Sequence, residues 1–260
     1  MRLAQSLAVL VLMSVAIYGL IGLMPGDPID LALSADPRLT SDDIARLRAL
    51  YGLDEPWAHR YWAWAIQALQ GEFGYSRLFA QPVISTLAEP LGRTLLLMGG
   101  SFAVALAIGL PAGMAAGARP HSRLDYVVNL ICFAGVAMPA FWLALLLILL
   151  FAVHWQIFPA SAVALEPGFA TQLRHLALPI LTLGLLQAGG ITRYMRAAMR
   201  EALSADHIRT ARAKGLSEVG VIWGHALRNA MIPVISILAL DVGGLFSGAL
   251  IVEMMFGYPG

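Results

Sequence analysis

Long apolar runs alternate with shorter polar segments along this chain of 260 residues. A helix needs about 20 consecutive apolar residues to cross a hydrocarbon core of about 30 Å. Proline and glycine inside such a run do not prevent it from spanning. Five runs have the required length: Leu3–Met24, Thr94–Ala118, Tyr126–His154, Leu176–Tyr194 and Ala230–Val252. The pattern therefore predicts an all-α bundle of membrane-spanning helices, with five spans visible in this chain.

The first run is too long for a secretory signal, whose apolar core has about 7–15 residues. Pro25-Gly26-Asp27-Pro28 follows it, where a signal would have a small-residue cleavage site. We therefore interpret residues 1–24 as an uncleaved first transmembrane helix.

Residues 25–93 form a long polar interruption that predicts short helices. Thr40–Asp43 could cap a helix that Gly52 ends. A second helix is predicted over about Pro56–Gln70, with proline at an allowed N-terminal position. It carries four aromatic residues: Trp57, Tyr61, Trp62 and Trp64. These rings could lie at a membrane interface or pack the loop onto the spans, and the sequence favours neither interpretation.

Composition supports the membrane interpretation. Hydrophobic residues make up 59% of the chain and charged residues 13%, with a mean hydropathy of +0.74. Soluble domains are about 25% charged, so this chain has too few charges to cover a water-exposed surface. The single cysteine, Cys132, excludes an internal disulfide and a multi-cysteine metal site.

The distribution of basic residues predicts the orientation. Arg119 and Arg123 follow the second span. Seven basic residues follow the fourth: Arg193, Arg196, Arg200, Arg209, Arg212, Lys214 and Arg228. By the positive-inside rule both loops face the cytoplasm, and so does the N-terminus. Residues 25–93 and Trp155–His175 then lie outside; arginines in the first of these count little, because loops longer than about 60 residues escape the rule.

Residues 94–260 form the predicted core domain, with a cytoplasmic loop at residues 193–229. Ala205–Gly215 predicts a short helix, with Ser204 as its cap and Gly215 as its end. A helix resumes over Glu218–Leu227. Such a basic hairpin could dock another protein, or it could be a basic collar that only fixes topology.

A resemblance of the loop sequence to a known family favours docking of another protein over a basic collar. Asp206-His-Ile-Arg-Thr-Ala-Arg-Ala-Lys-Gly-Leu216, followed by His225-Ala-Leu-Arg-Asn-Ala-Met-Ile-Pro233, resembles the cytoplasmic signature of ABC importer permeases of the dipeptide/oligopeptide/nickel family. The general importer motif has Glu-Ala-Ala six residues before its glycine, where this chain has Arg209-Thr210-Ala211. This departure is typical of the peptide branch.

Other segments resemble the same family. They are Met24–Pro28, Tyr51–Pro56, Gly71–Ser76 and Glu253–Gly260, the last of which precedes a final span in the family. We therefore expect a sixth span to be missing from this chain. The large outer loop resembles that of the first of two related permease subunits.

The resemblance implies a type I ABC importer permease fold and a role without chemistry of its own. The cytoplasmic helix would be the coupling helix that fits a groove in the ATPase. The coupling residues would be Asp206, Arg209, Thr210, Ala211, Arg212, Ala213, Lys214, Gly215 and Leu216. The connection to the fifth span would include His225, Arg228, Asn229 and Pro233.

The resemblance also implies partners in the inner membrane: a second homologous permease in a heterodimer, one or two ATPase subunits, an external substrate-binding protein and lipid, but no nucleic acid. This chain would bind no cofactor, and ATP and magnesium would belong to the ATPase subunits.

Ionisable and polar residues within spans are candidates for the translocation path. Asp241 lies mid-span and could meet the amino terminus of a peptide, and Gln187 lies in the fourth span. Either could instead bond to a neighbouring helix or to a partner permease. Glu253 could shape an outer gate or be an interface residue. His154 and His175 are two isolated histidines, and we predict no metal site.

No phosphate-binding loop of the form Gly-x-x-x-x-Gly-Lys-Ser/Thr and no catalytic motif occurs in the sequence, which predicts a permease rather than an enzyme. The first expectation is import of di- or oligopeptides. The alternatives are a nickel chelate, glutathione or another small solute moved by the same fold. An ATP-independent secondary transporter and an intramembrane protease are alternatives of other classes.

Overall fold

The computed structural model describes residues 2–23, 52, 54–76, 79, 81–164 and 168–260. The predicted helix after Thr40–Asp43 and the segment Pro25–Pro28 lie outside the described residues. The chain divides into two compact units, residues 1–86 and 87–260. The predicted domain boundaries at residues 24 and 93 stay predictions.

The first unit contains two helices and a small hairpin. Helix α1 runs over Arg2–Gly22 and α2 over Trp57–Leu69. Strands β1 (Tyr75–Ser76) and β2 (Gln81–Pro82) pair antiparallel, with Tyr75 opposite Pro82. Pro56 and Gln70 flank α2, so the predicted helix over Pro56–Gln70 is confirmed. The short hairpin is a feature that the sequence did not predict.

Aromatic side chains join α1 to α2. The Tyr18 ring lies 6.2 Å from Trp57, 5.5 Å from Tyr61 and 5.6 Å from Trp64, between ring centroids. The hydroxyls of Ser14 and Tyr61 are 2.8 Å apart. Edge-to-face ring contacts at these distances are favourable beyond the area that they bury. Three of the four rings of α2 therefore pack onto α1, as in the packing interpretation.

The second unit contains the remaining described helices, with α3 starting at the end of the first unit. They are α3 (Val83–Ala118), α4 (Arg123–Ala137), α5 (Ala140–Leu147) with a π-helical continuation (Ile148–His154), α6 (Phe169–Ser204), α7 (Asp206–Ala213), α8 (Glu218–Gly220) with a π-helical continuation (Val221–Ala226), and α9 (Leu227–Phe256).

Four described helices are long and apolar enough to cross a membrane, and there are five if a bent pair counts as one span. The bent pair replaces the continuous helix predicted over Tyr126–His154. Its limbs are Arg123–Ala137 and Ala140–His154, and the chain bends by 108° between them. Proline disfavours helical conformation in the residue before it, and Met138 is extended (φ −85°, ψ 124°). Pro139 therefore breaks this span instead of merely being tolerated in it.

Two apolar clusters hold the second unit together. One joins α3, α5, α6 and α9 and includes Leu97, Leu147, Leu178 and Phe256. The other joins α6, α7 and α9 around Met195, Met199 and Ile208. The second cluster fixes the short helix α7 against the ends of two long helices.

Glycines bring α3 and α6 into close contact. Gly109, Gly113 and Gly117 recur every four residues along one face of α3. A Cβ atom built on Gly113 would lie 2.5 Å from the carbonyl oxygen of Thr192, and one on Gly117 would lie 2.7 Å from Met199 Cβ. Small residues at this spacing let membrane helices pack backbone to backbone.

Candidate functional site

Helix α7 has a buried side and an exposed side. Ile208 is fully buried and Ala211 is 5% exposed, both within the cluster shared with α6 and α9. Asp206, Arg209 and Thr210 are exposed. Residues three apart share one face of a helix, which places Ile208 and Ala211 together. Ala211 therefore packs α7 against α6 and α9, whereas its polar neighbours form the exposed surface of the helix.

The start of α7 differs from the prediction. Its N-cap is Ala205, which is extended (φ −72°, ψ 150°) and supplies no capping side chain. The Ser204 hydroxyl instead donates to the carbonyl oxygen of Glu201 at 2.8 Å. The predicted Ser204 cap is wrong because that residue still belongs to α6, whose own carbonyl is within reach of its hydroxyl.

The end of α7 is a Schellman motif. Gly215 adopts φ +82°, the left-handed region that glycine occupies without penalty. The Leu216 N–H donates to the Ala211 carbonyl at 3.3 Å, and the Gly215 N–H to the Arg212 carbonyl at 2.9 Å. These bonds satisfy carbonyl groups that the helix end leaves free. The prediction that Gly215 ends the helix is confirmed.

An ion pair closes the turn between α7 and α8. Arg212 donates from Nε and Nη2 to the two carboxylate oxygens of Glu218, at 2.8 and 3.1 Å. The Glu218 carboxylate raises the pKa of the Arg212 guanidinium above its ordinary value, so this side chain stays charged. The Ser217 hydroxyl accepts from the Gly220 N–H at 3.3 Å and caps α8. The turn thus has a defined shape although its side chains are exposed.

The predicted connection to the last described helix also contacts α7. Asn229 Nδ2 lies 2.9 Å from His207 Nε2, which joins α9 to α7. Sequence reasoning missed His207, since nothing in the residue type marks it as the partner of a residue 22 positions away. His225, Arg228 and Pro233 are exposed, and the structure assigns them no contact that fixes α7.

The surface around α7 mixes basic and apolar side chains. Arg209, Lys214 and Arg228 are exposed, and Val219 and Trp223 are 67% and 59% exposed. Exposed aromatic and apolar groups beside cationic ones are typical of protein-binding surfaces. In the part of the chain that the structure describes, no three His, Cys, Asp or Glu side chains group in a way that could hold a metal ion. The surface around α7 therefore has the composition of a protein-docking surface.

Gln187 and Asp241 line one groove. It has a volume of about 360 Å³ and lies between α6, α9 and the bend after α4. Arg193 and Tyr194 of α6 and Met138 at the bend also line it. The Arg193 guanidinium lies over the Tyr194 ring, 5.6 Å from its centroid. The structure therefore places two of the three residues that we proposed for the translocation path in the same groove.

Glu253 does not line this groove. It is 8% exposed and accepts a hydrogen bond from the Thr94 hydroxyl of α3 at 2.7 Å. The Tyr258 N–H donates to its carbonyl oxygen at 2.8 Å, after Gly257 has ended α9. In this position Glu253 ties α9 to α3.

A buried ion pair between α4 and α6 escaped sequence reasoning. Asp125 is 2% exposed and accepts two hydrogen bonds from Arg196, one of them from Nη2 to Oδ2 at 2.8 Å. Asn129 and the His121 N–H donate to the same carboxylate, at 2.9 and 3.0 Å. The two residues are 71 positions apart, and Asp125 lies just before the predicted third span, so nothing in the sequence pairs it with Arg196.

The chain was compared with known proteins. The profile of the family described as "Binding-protein-dependent transport system inner membrane component" matches residues 109–260. A Brucella suis biovar 1 (strain 1330) protein named as a peptide permease is 39% identical over all of this chain and 82% of its own length. The oligopeptide transport system permease protein AppB of Bacillus subtilis (strain 168) is 36% identical, over 100% and 83%. The glutathione transport system permease protein GsiC of Escherichia coli (strain K12) is 36% identical, over 100% and 82%.

Proposed function

Because this chain belongs to the family of inner-membrane components of binding-protein-dependent transport systems, we propose that the solute it passes into the cell is a peptide. The chain is a permease subunit of an ABC importer, and it is not itself an enzyme. It resides in the inner membrane and works with a substrate-binding protein and an ATPase.

One observation carries the peptide assignment. Relatives from three different organisms align with the whole chain, and two of them are named for peptides or oligopeptides. The third is named for glutathione, which is itself a modified tripeptide. Peptide import is therefore consistent with the names of all three relatives. Glutathione import is the specific alternative, and one relative supports it.

We infer the finer composition of the complex from the resemblance. A second, homologous permease would complete a heterodimer, and one or two kinds of ATPase subunit would bind ATP and magnesium. The N-terminus and α7 would face the cytoplasm, since the basic residues cluster around α7. A substrate-binding protein would deliver the peptide from outside.

The contacts of α7 support its role as the coupling helix. An ATPase can drive transport only if ATP biases two permease conformations differently, and that bias must pass through a rigid connection. Helix α7 meets this requirement because Ile208 anchors it in a core shared with α6 and α9. The Arg212–Glu218 pair and the Asn229–His207 contact fix its two ends.

The first test is purification of the tagged chain from detergent-solubilised membranes, with its companions identified by mass spectrometry. We expect a second permease and one or two ATPase subunits. Recovery of the chain alone, with transport intact in liposomes, would exclude an ATP-driven mechanism and favour a secondary transporter.

The second test addresses the substrate. The purified complex and its binding protein, reconstituted in liposomes with internal ATP, should take up radiolabelled tri-alanine. Excess unlabelled peptide should compete, whereas nickel chelates should not. Uptake of glutathione without uptake of tri-alanine would replace peptide import by the glutathione alternative.

A further inference from the structure

Two opposite charges and an amide open onto the groove between α6 and α9, and none of the three has a hydrogen-bonded or ionic partner among the described residues. Within the described residues, Asp241 and Gln187 make no hydrogen bond or ion pair. The Arg193 guanidinium lies over the Tyr194 ring, and within the described part of the chain it forms no ion pair with Asp241. An ionised side chain at membrane depth is costly unless it faces a cavity or a partner. The groove therefore presents unsatisfied groups of both signs to whatever occupies it.

The positions of Asp241, Gln187 and Arg193 along their helices place them at different distances from α7. Arg193 follows Gln187 by six residues on α6, which corresponds to about 9 Å at 1.5 Å per residue. Gln187 and Asp241 both lie near the middle of their helices, Phe169–Ser204 and Leu227–Phe256. Arg193 lies nearer to α7. A ligand in the groove meets a carboxylate and an amide at mid-helix and a guanidinium further toward α7.

Glycines keep the groove open. Gly190 and Gly244 both line it, and a Cβ atom built on either would meet no atom within 4 Å. They differ from Gly113, whose missing side chain lets another backbone approach. The space beside Gly190 and Gly244 is therefore available to a ligand of peptide size, since the groove holds about 360 Å³.

We propose that this groove is a peptide subsite within the permease, in which Asp241 receives the ammonium group of the peptide and Arg193 its carboxylate. Gln187, which lies at mid-helix like Asp241, hydrogen-bonds the peptide backbone. This assignment rests on the proposed function, because it takes the transported solute to be a zwitterionic peptide. It makes the permease itself selective for free peptide ends.

Uptake by the reconstituted importer, with its binding protein unchanged, tests the assignment. Asp241→Asn should raise the KM for radiolabelled tri-alanine about tenfold, which corresponds to about 1.4 kcal/mol. Asp241→Glu should restore most of the affinity because it keeps the charge. Arg193→Gln should raise the KM similarly, since it removes the partner of the peptide carboxylate.

A steric probe and its matched control complete the experiment. Gly244→Leu should block uptake by filling the groove. Gly243→Leu should leave uptake unchanged, because Gly243 also faces open space but does not line the groove. Recovery of the second permease with each variant is measured in parallel to establish assembly.

The outcomes separate this inference from the proposed function. If the wild-type importer takes up no peptide, the proposed function fails. If it takes up tri-alanine and the Asp241, Arg193 and Gly244 variants match it, the groove assignment fails and peptide import stands. Loss of the second permease from Asp241→Asn would make Asp241 an interface residue and would also overturn the assignment.

Discussion

Gly215 has a backbone conformation that few other residues adopt at low energy. Its φ of +82° lets α7 end in a Schellman motif, and the chain then reverses toward α8. A side chain in the left-handed region costs about 1–2 kcal/mol per residue. The shape of the surface around α7 therefore depends on the absence of one Cβ atom.

Gly215→Ala should weaken coupling without preventing insertion into the membrane. The strain of about 1 kcal/mol would shift the end of α7 away from the geometry that the Arg212–Glu218 pair now closes. We expect ATP hydrolysis by the reconstituted importer to respond several-fold less to loaded binding protein. Gly224→Ala is the control, since Gly224 lies in the π-helical segment without a positive φ and has open space around it. Equal stimulation in both variants would remove α7 from the coupling route.

Asp125 is a buried carboxylate whose partners all come from within the second unit. Asp125→Asn would leave the Arg196 guanidinium, whose side chain is 20% exposed, without its counter-ion. Breaking such a buried pair costs about 3 kcal/mol, so the purified complex should unfold at a clearly lower temperature. Asp206→Asn provides the contrast, because the Asp206–Arg209 pair is exposed and 3.6 Å long. Similar thermal shifts in both would mean that the buried pair contributes little.

Sequence reasoning found the residues whose effect is local and missed those that act through distant contacts. Gly215 could be predicted because glycine is the residue that most often follows the last turn of a helix. Ser204 was misassigned because capping preference cannot tell whether the preceding helix has already ended. Asp125 and His207 could not be found, since their partners lie 71 and 22 positions away.

At the scale of elements, the contact between α3 and α6 depends on a glycine repeat. Gly113→Ala would place a Cβ atom 2.5 Å from a carbonyl oxygen of the backbone of α6, which cannot move as a side chain can. We expect a loss of about 2 kcal/mol in stability and a lower yield of assembled complex.

Gly99→Ala on the same helix is the matched control for Gly113→Ala. A Cβ atom there meets nothing within 4 Å, so the change should be neutral or slightly stabilising in a helix. Thermal unfolding of both variants in one detergent compares them directly. Equal stability would show that the two helices can separate at no cost.

Hydropathy predicted the helices but not their full extents. Helix α3 begins at Val83 rather than Thr94, because Glu89, Pro90 and Arg93 lower the local hydropathy without breaking the helix. Pro139 lies within the third predicted span, but the bend of 108° also depends on how each limb packs, which periodicity does not encode. The identity of the elements was therefore predictable, whereas the start of α3 and the size of the bend at Pro139 were not.

At the scale of the whole molecule, the orientation of the chain in the membrane can be tested by labelling introduced cysteines. With Cys132 replaced by alanine, a cysteine introduced at His121 should resist a membrane-impermeant maleimide added outside intact spheroplasts. A cysteine at Ser161 should react, because Trp155–His175 is predicted to lie outside. The opposite pattern would invert the topology and move α7 away from the cytoplasmic ATPase.

The bend at Pro139 also affects how well this segment matches the thickness of the bilayer. Helix α4 has 15 residues, and α5 with its π-helical continuation has 8 plus 7. At about 1.5 Å per residue, each limb is roughly 22 Å long. A hydrocarbon core is about 30 Å thick, so neither limb alone can cross it. Hydrophobic mismatch of this kind is relieved by local thinning of the bilayer. We therefore expect transport by the reconstituted importer to depend on the acyl-chain length of the surrounding lipid.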